Sequence, residues 1–357
     1  MKRLPVCILF LFAYIFLGGM ASRPPILPPN LLFVSDNGQI FIIDRDTNQL
    51  VKTLREMKRG FVHRMGISNG KLYVPVPALD LGVGNDCIEV YDIATGSLIK
   101  KIKTGWMPDE IIIAPNGKAY IGHSFEYRPS RDYDISVIDT KTDKVIKTLK
   151  VSTRAGNFIS GNDGMVYLRL GVRIGLNSVI EKDAEVVRID PETDSMEKLF
   201  EIKLMPTIIA GISGDKAYLH SFDRKNNKSF LSVYDIRKGK EIKNISVPYG
   251  PSHAPYTTYM AFSPDGRAFI PHFTDVAYPN QGTSITVVDT NTDEVTGTLQ
   301  DPRLDSPSSV LIVKDKMYVI NQMSGTIAVV DIISDKIIGS ININHKERGW
   351  LLSMIAN

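Results

Sequence analysis

Val137-Ile138-Asp139-Thr140-Lys141-Thr142-Asp143-Lys144-Val145-Ile146-Lys147-Thr148-Leu149 reads as an apolar strand that stops at an aspartate, turns, and returns as a second strand. Its first half, apolar-x-Val-apolar-Asp or a close variant, recurs seven times, ending at Asp44, Asp92, Asp139, Asp190, Asp235, Asp289 and Asp331. The spacings are 48, 47, 51, 45, 54 and 42 residues. A period that long marks a propeller blade or a solenoid turn.

Upstream of each aspartate a short β-rich stretch carries an aromatic at one equivalent position: Phe33, Tyr73, Tyr120, Tyr167, Tyr218, Phe269 and Tyr318. Six of these follow a tight turn (Asn69-Gly70, Asn116-Gly117, Asp163-Gly164, Gly214-Asp215, Asp265-Gly266, Lys314-Asp315), and before the turn lies another apolar strand such as Glu110 to Ile113. Each repeat is therefore four strands joined by hairpins. One such unit cannot bury both of its faces, whereas seven packed radially cover one another. The expected fold is all-β: a seven-bladed β-propeller of four-stranded antiparallel blades. The chain enters at a second strand (Leu31 to Ser35) and ends in a strand without its own partner (Trp350 to Ile355), so the C-terminal strand is expected to complete the first blade. In blade four, Val187-Arg188-Ile189-Asp190-Pro191 carries an extra residue that predicts a bulge.

Residues 1–21 read as an export signal, with Lys2 and Arg3 before an apolar run from Leu4 to Leu17 and small residues at Gly19-Met20-Ala21. Residues 22–30 form a Pro-rich spacer and 31–357 the propeller. The expected location is periplasmic, cell-surface or secreted, and a membrane enters only if the N-terminal segment stays uncleaved as an anchor. Cys7 lies inside the apolar run, too early to be a lipid-modified mature N-terminus. Removing the signal leaves 40 basic against 39 acidic residues, a balance that gives no net-charge signal for nucleic acid. Cys87 is then alone and reads as a buried apolar filler. Nucleophile elbow, P-loop, His-Glu-x-x-His and paired-cysteine motifs are absent from the sequence.

Val137 to Leu149 and Val287-Val288-Asp289-Thr290-Asn291-Thr292-Asp293-Glu294-Val295 resemble the repeats of the YVTN-type β-propellers, exported bacterial and archaeal proteins that include the YncE-like group. Ser263-Pro264-Asp265-Gly266 and Tyr318-Val319-Ile320-Asn321 resemble the other half of that repeat. The resemblance covers residues 31–357 and implies the propeller fold. For function it implies only a range: binding proteins, surface proteins, or the propeller parts of quinoprotein dehydrogenases and nitrous oxide reductase.

In an antiparallel blade the turns between strands one and two share an edge with those between three and four, and all of these are short. The opposite edge holds the long connections, Pro77 to Asp86, Ser124 to Tyr133, Leu170 to Asp183, Phe222 to Ser229, Val247 to Tyr256 and Thr274 to Thr283, and is the expected working face. The candidate ligand-binding residues map there: His63, His123, His220, His253 and His272, with Arg64, Arg154, Arg348, Trp106 and Tyr256. Converging imidazoles would serve as metal ligands or general bases. Histidines that simply collect at strand ends are the plainer alternative. An arginine ring would suit a carboxylate, phosphate or sulfated ligand, while arginines paired with Asp109 or Glu110 would be structural. The Asp-x-x-Thr-Asp turns fit Asx turns rather than calcium loops.

The leading expectation is a non-catalytic exported module that presents its long-loop face to a small-molecule ligand, an envelope polymer or a protein partner. No cofactor is predicted; a divalent metal is the one the histidines leave open. The alternatives are a lyase, hydrolase or redox enzyme using His123, His253 or His272, or a propeller subunit of a redox complex.

Overall fold

The computed structural model describes residues 26–36, 38–54, 62, 64–77, 86–123, 134–171, 184–202, 207–223, 228–247, 260–272, 282–343 and 353–357. These form seven four-stranded antiparallel sheets, and no helix is assigned among them. Blades two to seven are meanders of consecutive strands. Blade one is built from both chain ends, with Ser353–Ala356 pairing Leu31–Ser35 in the register Leu32↔Ala356 to Ser35↔Ser353. The latch expected from the sequence is present, beginning at Ser353 within the described residues.

The second and third strands of each blade sit between two neighbours, so their sequences are apolar on both faces. Leu31–Ser35 and Ile40–Asp44 are buried throughout, whereas the outer strand Gln49–Leu54 buries only its last residue. The buried apolar side chains group into seven clusters, and each cluster draws on two adjacent blades. The core is therefore a ring of interfaces. Tyr73, Tyr120, Tyr167, Tyr218 and Tyr318 are among its largest fully buried side chains.

The repeated aspartate organises the turn after the third strand. Asp139 accepts the Lys141 amide and the Thr142 hydroxyl, both at 2.9 Å, and Asp44, Asp92, Asp190, Asp235, Asp289 and Asp331 hold their own turns by similar bonds. These are Asx turns, with carboxylate oxygens taken up by backbone amides and hydroxyls. The fourth turn residue has φ between 53° and 62° in all seven blades: Asn48, Gly96, Asp143, Asp194, Gly239, Asp293 and Asp335. Only Gly, Asn and Asp adopt that conformation readily, which explains the residue types found there. Between third and fourth strands the register slips by one residue in every blade. A bulge is thus common to all seven blades; it lies two residue pairs in from the turn in six of them and four pairs in for blade four, where the sequence predicted one.

That fourth residue has a second task. Asp143 accepts hydrogen bonds from the Tyr73 hydroxyl at 2.6 Å and the Lys71 ammonium at 2.7 Å, both from the preceding blade. Asp194 does the same for Tyr120 and Lys118, and Asp293 for Tyr218 and Lys216. A Lys-x-Tyr on the second strand of one blade thereby clamps the turn of the next. Burial first, then the facing carboxylate, raises the phenols of Tyr73, Tyr120 and Tyr218 above the ordinary tyrosine range, so they remain donors. Tyr167 of blade four finds no such receptor, since Gly239 stands at that place in blade five, and turns instead to Asp163 of its own hairpin at 2.7 Å.

Candidate functional site

Of the residues singled out from sequence, His63, His253, Arg348 and Tyr256 lie outside the described residues. Most of the long connections lie outside them too. The remaining candidates can be placed individually, and they fall into two groups.

The first group is histidine paired with a hydroxyl. His123 ends the second strand of blade three, Lys118–His123. Its Nδ1 lies 2.8 Å from the Trp106 carbonyl and its Nε2 2.9 Å from Ser136 Oγ on the third strand. A carbonyl only accepts, so Nδ1 carries the proton and Ser136 donates to Nε2. The ring ties the segment entering the blade to its third strand. Asn321 in blade seven makes the matching bridge, accepting the Asp305 amide and donating to the Arg303 carbonyl and the Thr326 hydroxyl. His220 sits inside Lys216–Asp223 rather than at a strand end, its Nε2 3.2 Å from Ser229 Oγ. His272, just beyond Arg267–Pro271, places Nε2 2.6 Å from Thr286 Oγ1.

All three rings are buried, with 4%, 1% and 1% of their surface exposed for His123, His220 and His272. Burial depresses the basicity of each, holding His220 at about 4 and His272 at about 3, with the charge His220 would carry lowering His272 further. They are neutral at pH 7.

A stability prediction follows. For His220 and His272 the unfolded chain takes up the proton near pH 6.5, whereas the native state refuses it until far lower. The contribution is therefore complete above pH 6.5 and is lost as pH falls from there towards 4, at about 1.4 kcal/mol per pH unit per ring. Urea unfolding at pH 7 and pH 5 should differ by roughly 2 kcal/mol for each of His220 and His272. His220→Gln, which keeps a partner for Ser229, should remove about half of that difference. Equal slopes in wild type and variant would contradict the buried, neutral assignment.

The second group lines the innermost strands of blades two to four. Here the first strand of blade four, Ala155–Ser160, breaks its register between Gly156 and Ile159, and Asn157 has φ 53°. A bulge leaves backbone groups without ladder partners. Side chains from the two preceding blades supply them: the Phe158 amide donates to Glu110 at 3.1 Å, and Arg64 donates to the Phe158 carbonyl. Arg154 lies 3.8 Å from Asp109, with side-chain exposures of 14% and 4%. Asp109 and Glu110, adjacent on Pro108–Ile113, are both buried. The pairing with Asp109, the structural alternative, is the arrangement found for Arg154, while Arg64 and Glu110 bind the backbone of the same residue, Phe158, on its carbonyl and its amide. Trp106 is half-buried and contributes its carbonyl to His123.

The structure brings Arg64, Glu110, Asp109 and Arg154 to one stretch of the inner rim. His123, His220 and His272 belong to blades three, five and six, each beside a hydroxyl of its own blade. Among the described residues no three His, Cys, Asp or Glu side chains group as a metal site, and no helix is long and apolar enough to cross a membrane. The clamp formed by Lys-x-Tyr and the turn aspartate was missed from sequence, although Lys two residues before the repeated Tyr stands at residues 71, 118, 216 and 316; for the last, the fourth turn residue of the next blade is Asn48 rather than aspartate.

No family model and no curated protein matches the chain. Solved structures do. The dihydro-heme d1 dehydrogenase NirN aligns at a TM-score of 0.61 and 14% identity, over 94% of this chain and 78% of that one. Hydrazine synthase from Kuenenia stuttgartiensis aligns at 0.60 and 17%, over 84% and 92%, and apo AztD from Citrobacter koseri at 0.51 and 12%, over 92% and 97%. At such identities the likeness establishes the β-propeller and leaves each neighbour's chemistry with that neighbour.

Proposed function

We propose that this chain is an exported, non-catalytic binding module that holds a ligand, an envelope polymer or a protein partner on its long-loop edge. One observation carries the reading: the two edges of the disc are built under different constraints. Every connection between third and fourth strands is four residues long, whereas the opposite edge ranges from four residues at 36–39 to thirteen at 171–183. A scaffold that fixes one edge and lets the other vary is organised for recognition. The engagement of His123, His220, His272, Arg64 and Arg154 in framework contacts also supports binding over catalysis, because a general base needs access to its substrate. Export rests on the reading of residues 1–21, and no cofactor is part of the proposal.

The test is to replace residues 78–85, 172–183 and 273–281 with the four-residue connection Gln322-Met323-Ser324-Gly325 that blade seven uses. Thermal unfolding should stay within a few degrees of wild type, as surface loops change stability little (about 1 kcal/mol each). Saturable retention of material from isolated envelope fractions should be lost. A short-loop variant that retains the same material, or a wild type that retains none, would overturn the proposal.

A further inference from the structure

The bulged outer strand of each blade exposes apolar side chains at the circumference of the disc. In blades two and three these are Leu98 at 46%, Ile99 at 50%, Val145 at 39% and Ile146 at 50% exposure. The strands that carry them, Ser97–Lys103 and Lys144–Leu149, also hold Lys100, Lys101, Lys103, Lys144 and Lys147 and no acidic residue. Lys100 donates to the Asp143 carbonyl at 2.8 Å, which joins the two rims into one surface. Lys101 and Lys147 pair with Glu89 and Asp194, while Lys103 and Lys144 make no ion pair among the described residues. Outer strands elsewhere carry the same apolar position with a smaller basic excess: blades one and seven hold a single lysine each, Lys52 and Lys336, blade five holds Lys240 and Lys243 against Glu241, blade four holds Glu197, Lys198 and Glu201, and blade six holds Glu294 alone.

A second observation concerns where the chain comes from. The Leu27 amide donates to the Ala94 carbonyl at 2.6 Å, and the Leu27 side chain is buried in the cluster that includes Ile93. Ala94 lies in the turn that leads directly into Ser97–Lys103. Ile26, next in line, is 84% exposed. The segment preceding the propeller is thus seated against blade two, and the apolar run from Leu4 to Leu17 with Lys2 and Arg3 stands a few residues further on.

We propose that the outer rim of blades two and three docks on an anionic lipid surface, its lysines meeting the headgroups and Leu98, Ile99, Val145 and Ile146 entering the headgroup boundary. Apolar side chains interleaved with lysine, and no acid among them, have the composition of an interfacial binding face. Lysines at a sheet edge also guard against edge-to-edge pairing, but that role applies equally to all seven blades and does not account for their concentration on two. The orientation leaves the long-loop edge of the disc accessible beside the membrane.

The test uses the full chain with Cys7→Ser, a single added cysteine at Ile99→Cys, Ile146→Cys, Ile242→Cys or Ile338→Cys, and a fluorophore on it. Each protein is reconstituted with phosphatidylcholine vesicles containing a headgroup nitroxide lipid, with or without about 30% phosphatidylglycerol. In anionic vesicles quenching at positions 99 and 146 should exceed that at 242 and 338 roughly three-fold. The excess should vanish without the anionic lipid and in about 0.5 M NaCl. Lys103→Glu with Lys144→Glu should abolish it while leaving Tm unchanged. Equal quenching at all four positions, or quenching at 99 and 146 indifferent to lipid charge, would overturn the proposal.

Discussion

Deleting residues 353–357 is expected to abolish cooperative folding at 37 °C, a larger effect than any point substitution considered for this chain. The segment is short, but it supplies the innermost strand of blade one, pairing Leu32, Phe33, Val34 and Ser35 with Ala356, Ile355, Met354 and Ser353. Its apolar side chains serve two interfaces at once: Ile355 packs in the cluster shared by blades one and two, Met354 and Ala356 in that shared by blades seven and one. Asn357 fastens the end. Its side chain accepts the Leu31 amide at 2.7 Å and donates to the Pro29 carbonyl at 3.0 Å, and its own carbonyl accepts from Arg45 at 2.6 Å. Counting about 1 kcal/mol net for each hydrogen bond lost, and about 2 kcal/mol for each large apolar side chain removed, the deletion is of the order of the whole stability of a domain. Asn357→Ala removes only the side-chain clasp and should cost about 1–2 kcal/mol. The pair of measurements is circular dichroism with temperature for the deletion and urea unfolding for the point variant. A deletion that unfolds with wild-type Tm would mean the ring is held without its latch.

The fold was legible because the repeat is written in local backbone demands. An aspartate that caps its own turn, followed four residues on by Asn, Asp or Gly in the left-handed region, is visible without knowing any partner. The tight turns at Asn69-Gly70 and Asp265-Gly266 are of the same kind. The clamp is different. Lys118 and Tyr120 meet Asp194 some 75 residues away, and only the radial order of the blades brings them together.

The candidate site was legible by residue type and not by environment. His123 and His272 stand three residues beyond their blade's aromatic, the place that Asn321 holds in blade seven. Read together with the hydroxyls of Ser136 and Thr326, that equivalence marks a bridge within the framework for His123 and Asn321, and His272 shares its hydroxyl contact through Thr286. The arginines were ambiguous for another reason. What fixes Arg64 and Glu110 is a bulge at Asn157, and a bulge on an inner strand leaves no mark in a hydrophobic pattern. The long connections do not repeat, so no equivalence among blades informs them.

Asp194→Ala is expected to destabilise the propeller by about 3–5 kcal/mol. The carboxylate, with 8% of its side chain exposed, accepts from the Tyr120 hydroxyl at 2.7 Å, the Lys118 ammonium at 2.9 Å and the Lys147 ammonium at 3.2 Å. Burial alone would raise its pKa. The three hydrogen bonds outweigh that and hold it below the usual carboxylate range, so the group is charged wherever the protein is folded near neutrality. Removing it strands a buried phenol and a half-buried ammonium from blade three, and leaves at φ 57° a residue without the short polar side chain that makes aspartate tolerant of the left-handed region. Asp194→Asn separates the causes, because asparagine tolerates the left-handed backbone and still accepts one hydrogen bond; its cost should be about 1–2 kcal/mol. Tyr120→Phe should cost about 1 kcal/mol, and combined with Asp194→Asn it should cost less than the two added together, since both act on one bond across the interface. Asp190→Ala, four residues earlier, removes only the turn's own cap and should stay near 1 kcal/mol. If Asp194→Ala proved no worse than Asp190→Ala in urea unfolding, the aspartate would be a turn residue alone, and the neighbouring blades would be held by their apolar faces without the clamp.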